Sequence, residues 1–176
     1  DVDVDGSGRL YLSAWDGAGY KGSDKKGYVE RIVPKGWKYE AFPDLESLSD
    51  ENLIKGLRKN SAIIRLHVSQ ELIRRTKAVA PILKVAADVS ASLETRVAAI
   101  FTAKQLGASN EELAALSVDE SIREWVVRSI ADRRTKLAGA KVGFFEKGLL
   151  DGNPRVQVAA AIALSRLGVA SAAEAL

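Results

Sequence analysis

The chain has no cysteine, a single histidine, four prolines and an aromatic content of 6% in 176 residues. Without cysteine, these residues cannot form a disulfide, a thiolate metal site, a cysteine nucleophile or a covalently attached c-type haem. The lone His67 lacks the partners that a metal site or a catalytic triad needs, so a packed or half-exposed helix residue is the preferred reading. No initiator methionine, basic n-region or apolar h-region opens the chain, which therefore reads as an internal segment with no signal peptide. The longest apolar runs, such as Val156 to Leu164, are far shorter than the ~20 residues of a membrane span, and no span is expected.

Strong charge of one sign is also missing. The net charge is +3, but residues 1–48 hold 7 basic and 9 acidic side chains, which leaves 19 and 14 for the rest and a net charge there of about +5. Spread over some 130 residues, without aromatics interleaved in the basic clusters, this is a weak electrostatic footprint and disfavours nucleic acid as a partner. Two basic runs, Arg74-Arg75-Thr76-Lys77 and Arg133-Arg134-Thr135-Lys136, close helical segments in the same style. They complement helix C-termini, or else Arg74, Arg75, Arg133 and Arg134 line one edge and contact phosphates.

What is present falls into two grammars. Residues 1–40 hold seven of the 14 glycines, a density that marks turns. Between the turns, Arg9 to Trp15 and Gly27 to Val33 alternate β-branched and aromatic residues in the manner of strands, joined by the polar loop Asp16 to Lys26. This predicts a β-hairpin and connector over residues 1–42. A lone hairpin is marginal in water, so it must lean on the helices or on a sheet outside these residues. The opening Asp1-Val2-Asp3-Val4-Asp5-Gly6 begins like a calcium loop, with Asp1, Asp3 and Asp5 as oxygen ligands and a glycine at the sixth place. The twelfth residue is Leu12 rather than Glu, so a polar turn feeding a strand is preferred over the calcium site.

From Ser49 the pattern is helical to Leu176. Ser49 is an N-cap before Leu53, Ile54 and Leu57, Ser109 to Glu112 form a capping-box signature, Asn153-Pro154 places a cap before a first-turn proline, and Gly107 and Gly168 stand where helices stop. Aligning Gly107 with Gly168 superposes Arg96 to Leu106 on Gln157 to Leu167, an offset of two units of about thirty residues, and further units show at Ile64 to Leu72 and Ile122 to Ile130. Four helical pairs are expected, with second helices near 61–77, 93–106, 119–133 and 154–167. Each pair buries its apolar stripe against a neighbour, and small residues such as Ala99 and Ala160 permit close approach. Asp119, Glu120 and Glu124 stand at helical spacing from Arg123 and Arg128, which favours surface ion pairs over acid-base chemistry, and Trp125 reads as packing rather than as a ligand platform.

Asn153 to Gly168 resembles the second helix of a HEAT repeat of the short, phycobilin-lyase type, in which an arginine follows near the helix start. Arg65, Arg96 and Arg123 occupy that position and Gln157 departs from it, which weakens the polar ladder between repeats at the last unit. The implied fold is mainly α: an α-α superhelix of about four HEAT-like pairs over 49–176 with an N-terminal β-hairpin appendage. The join is also distinctive. Asp3 to Trp15, a glycine-rich loop, Gly27 to Ile32, and then Asn60 to Arg75 resemble the last propeller blade and first helical repeat of the sorbosone-dehydrogenase-like propeller/HEAT/cytochrome c proteins of Planctomycetes and Verrucomicrobia. That resemblance implies a periplasmic or exported parent with propeller and haem c domains adjacent and no catalytic residue here. The segment is then a scaffold or protein-interaction piece of a dehydrogenase; the alternative is a free-standing module binding nucleic acid or a protein.

Overall fold

The computed structural model describes residues 1–17, 24–38, 40–132 and 139–168. The protein is mainly helical, with a small antiparallel sheet at its N-terminus. It divides into two compact units, Asp1–Val68 and Ser69–Leu176.

In the first unit, β1 (Val2–Val4), β2 (Leu10–Ala14) and β3 (Tyr28–Ile32) form a three-stranded sheet in the order β1-β2-β3. The two expected strands are β2 and β3. The segment taken for a turn at Val2–Val4 is instead a third strand, so the predicted hairpin is corrected to a meander. The reason is alternation: Val2 and Val4 sit opposite Leu12 and Leu10, which extends the apolar face of β2 by a strand. The same register puts Ala14 opposite Tyr28 and Leu10 opposite Ile32. Phe42 and Trp37 from the connector approach the turn at Gly6 and Gly8, and a side chain at Gly6 would meet Phe42 Cδ2 at 2.5 Å. The Phe42 ring stands edge-on to His67, with centroids 5.3 Å apart, so the single histidine is a packing partner of an aromatic.

Helix α1 (Asp50–Gly56) starts at Ser49, whose hydroxyl accepts from Asn52 N. It buries Leu53, and Leu57 just beyond it is buried with Ile64 and Val68 of α2 (Ala62–Arg74). Gly56 lies against Val68, where a Cβ would come within 2.9 Å of Cγ2.

The second unit takes in the end of α2, then α3 (Val79–Ala87), α4 (Leu93–Gln105), α5 (Asn110–Ala115), α6 (Glu120–Ile130), α7 (Val142–Leu149) and α8 (Pro154–Leu167). The expected caps are present. Ser109 and Glu112 form the capping box, Asn153 caps α8 ahead of Pro154, and Gly168 ends α8 in the left-handed region at φ 66°. Successive elements pack as pairs, α3 on α4, α5 on α6 and α7 on α8, and α6 also packs on both α4 and α8. The core is largely aliphatic, with Ile82, Ala99, Ile100, Val126, Ala160 and Leu164 shut off from solvent and Phe145 as its one large aromatic. Gly148 is the tightest of these contacts, because a Cβ there would lie 2.8 Å from Ala160 Cβ.

Helix propensity alone says that Gly148→Ala should stabilise α7 by about 1 kcal/mol. Overpacking against Ala160 reverses the sign, and we expect a loss of about 1–3 kcal/mol in denaturant unfolding. A stabilised variant would show that α7 and α8 are not this close.

Candidate interaction edge and arginine ladder

The three turns that precede α4, α6 and α8 share one local design. Asp88 Oδ1 accepts from the amide and hydroxyl of Ser90, Asp119 Oδ1 accepts from the amide and hydroxyl of Ser121, and Asp151 Oδ1 accepts from Asn153 N. An aspartate followed two residues later by Ser or Asn folds back on the backbone as an Asx turn, which leaves its second oxygen to face outward.

At Asp119 and Asp151 that second oxygen receives an arginine from the preceding helical pair. Arg96 on α4, 4% exposed, donates from Nε to Ala86 O at 2.9 Å, from Nη1 to Ser121 Oγ at 2.9 Å and from Nη2 to Asp119 Oδ2 at 2.6 Å. Arg123 on α6 repeats the arrangement, donating from Nε to Ser117 O at 2.7 Å and from Nη1 to Asp151 Oδ2 at 2.8 Å. Each arginine ties its helix back to a carbonyl of the chain just before it and forward to the next turn. Arg65 in the first unit makes the backward tie, donating to Lys59 O and Asn60 O. Gln157 does the same with a neutral amide, donating from Nε2 to Asp151 O at 2.6 Å. The four positions singled out from sequence thus share the backward contact, and Arg96 and Arg123 add the forward one.

These bonds set the charge states. The Arg96 guanidinium, with the Ser121 hydroxyl and amide, holds the Asp119 carboxyl at about 2. The Asn153 amide and then Arg123 hold Asp151 below the usual carboxylate range. Both acids remain ionised at neutral pH, so the buried guanidinium of Arg96 keeps its counter-charge.

Beside each turn aspartate stands a strongly exposed aliphatic residue: Val89 at 78%, Val118 at 83% and Leu150 at 87%. Arg123 also donates to Val118 O while holding Asp151, so one guanidinium keeps Val118 and the Leu150-Asp151 turn side by side. Neither the Asx-turn repeat nor these exposed aliphatic residues follow from the sequence reading, although Asp88-Val89-Ser90, Asp119-Glu120-Ser121 and Asp151-Gly152-Asn153 carry the signal for the turns.

The other candidates have local partners. Asp5 Oδ1 accepts from Ser7 N, Ser7 Oγ and Arg9 N, and Tyr11 OH donates to Oδ2. Asp1 and Asp3 each accept from the next residue's amide, and among the described residues no three acidic, histidine or cysteine side chains gather as a metal site. Arg74 and Arg75 both donate to Glu71, and these two guanidinium groups in that order hold its carboxyl at about 2. Arg133 and Arg134 lie outside the described residues. Glu124 pairs with Arg128 at 2.7 Å, and Arg128 covers the half-buried Trp125 ring at 5.3 Å from its centroid. No helix among the described residues is long and apolar enough to cross a membrane. No protein-family model matches the chain, and comparison with curated proteins and with solved structures also finds no match.

Removing Asp119 strands the buried Arg96 charge, so Asp119→Ala should cost about 3 kcal/mol in chemical unfolding. Because folding lowers this pKa, its stabilisation is complete above about pH 4 and is lost as the pH falls towards about 2. Asp119→Asn, which cannot titrate, should flatten this part of the stability profile; an unchanged acid slope would show that the carboxylate is not so held.

Proposed function

We propose that the chain is a non-catalytic scaffold, a stack of HEAT-like helical pairs wound as an α-α superhelix, which serves as a protein-interaction segment of a larger exported, haem-linked dehydrogenase. The observation that carries the scaffold reading is the recurrence of one bridge, Arg96 to Asp119 and then Arg123 to Asp151. Units that repeat the same link to their successors behave as a linear array, in which each pair buries its apolar stripe only against its neighbours. The strongly exposed Val118 and Leu150, whose turns one guanidinium holds side by side, support a partner-facing edge.

The sheet supports a neighbouring β-structure. One face carries Val2, Val4, Tyr28 and Ile32 on the two outer strands, all four more than a third exposed, with Glu30 as the one charged residue among them. A further sheet, such as the propeller implied by the resemblance of residues 3–32, would cover that face. In this reading oxidation chemistry belongs to the propeller, haem c to a cytochrome domain, and the helices hold the two in register, in the periplasm or outside the cell. The free-standing nucleic-acid module gains nothing from Arg74 and Arg75, which already serve Glu71.

Reading the gene on both sides of this segment tests the context. Blade repeats before it and a Cys-x-x-Cys-His motif after it are expected; flanks with neither would remove the dehydrogenase. Filter binding at low salt is expected to give an affinity for duplex DNA no tighter than the non-specific range, ~10⁻⁴ M. Sub-micromolar binding would favour the nucleic-acid module instead.

A further inference from the structure

The helical unit holds a cavity of about 200 Å³ at the first turn of α5, the end of α6 and the start of α7, walled by Ala114, Ile130, Ala140, Phe144 and Phe145. Its deepest walls belong to the core: Ile130 is 1% exposed and Phe145 0%. The two phenyl rings meet edge to face, with centroids 5.4 Å apart, which gives the wall a fixed aromatic corner. Polar groups come from Asn110, Glu111 and Lys141. Lys141 occupies the N-cap position of α7 without capping it, and its ammonium lies 3.7 Å from Glu111 Oε1 in an exposed, loose pair. Asn110 Oδ1 accepts from Lys104 Nζ, which leaves the amide nitrogen of Asn110 as a donor.

We infer that this cavity binds a small monocarboxylate whose apolar body is the size of one aromatic ring. Size decides the body: an apolar space of ~150 Å³ suffices for benzene, whereas drug-sized ligands need at least ~300 Å³. Charge decides the head group. The Lys141 ammonium, the donor amide of Asn110 and the uncapped start of α7 all favour an anion, and Glu111 alone opposes it. A carboxylate takes Lys141 from Glu111 at little cost, because an exposed pair at that distance is weak. The site is separate from the arginine ladder and does not depend on the scaffold role.

The full chain, isotopically labelled, is titrated with phenylacetate, benzyl alcohol and benzylamine and followed by amide shifts. Phenylacetate should saturate with a dissociation constant of ~1 mM or tighter and shift Ala114, Lys141 and Phe144. Lys141→Gln should weaken phenylacetate about fivefold and leave benzyl alcohol unchanged. Ala114→Leu, which fills the cavity, should weaken both about tenfold; if that variant does not fold, Ala140→Leu fills the site from another wall. Absence of saturation by phenylacetate, or undiminished affinity in the filled variant, overturns the site. Tighter binding of benzylamine than of phenylacetate overturns the carboxylate assignment.

Discussion

The guanidinium of Arg96 is almost entirely removed from water, and burial of an ion costs several kcal/mol unless a counter-charge and hydrogen-bond acceptors are supplied. Three oxygens supply them: a carbonyl from the end of α3, a serine hydroxyl and an aspartate from the turn that starts α6. Those groups cannot move independently without stranding the charge. The start of α6 is therefore fixed against α4 by an interaction with direction, and Asp119 also shapes its own turn with its other oxygen. The step from α6 to α8 uses the same logic through Arg123 and Asp151.

Apolar burial could not do this alone. Helices α4 and α8 bring the buried Ala99, Ala103, Ala160 and Ala163 to the stack, short side chains that favour close approach, against Ile122, Val126 and Ile130 of α6, and apolar contact of this kind has little direction. Gly148 extends the same economy to α7 and α8, where two backbones come as near as a missing Cβ allows. Burial drives the helices together, and the arginine bridges choose the register. The two turns held in this way present Val118 and Leu150 to solvent, and Arg123 keeps them side by side.

Much of this was legible in the sequence because it is local. Ser49, Ser109 and Asn153 are caps by chemistry, Gly168 is a stop by its backbone freedom, and the Arg96/Arg123 period shows in a simple alignment. The strand at Val2–Val4 was hidden because three alternating aspartates look first like metal ligands or a turn, and only pairing with β2 gives the valines a purpose. The forward partners of the arginines were hidden for a different reason. Asp119 lies 23 residues beyond Arg96 and Asp151 lies 28 beyond Arg123, so unequal spacing masks a contact that is equivalent in space. The cavity beside α7 is also a tertiary fact, since Ala114, Ile130 and Phe144 belong to different helices.

If the units are coupled through the arginine bridges, their stabilities are separable in a way that those of a single undivided core are not. Native-state hydrogen exchange on the full chain, compared with Asp151→Ala, measures this directly. Amides of α7 and α8 should lose protection in the variant while those of α3 and α4 keep theirs. A uniform loss across all six helices from α3 to α8 would contradict a ladder that joins discrete units.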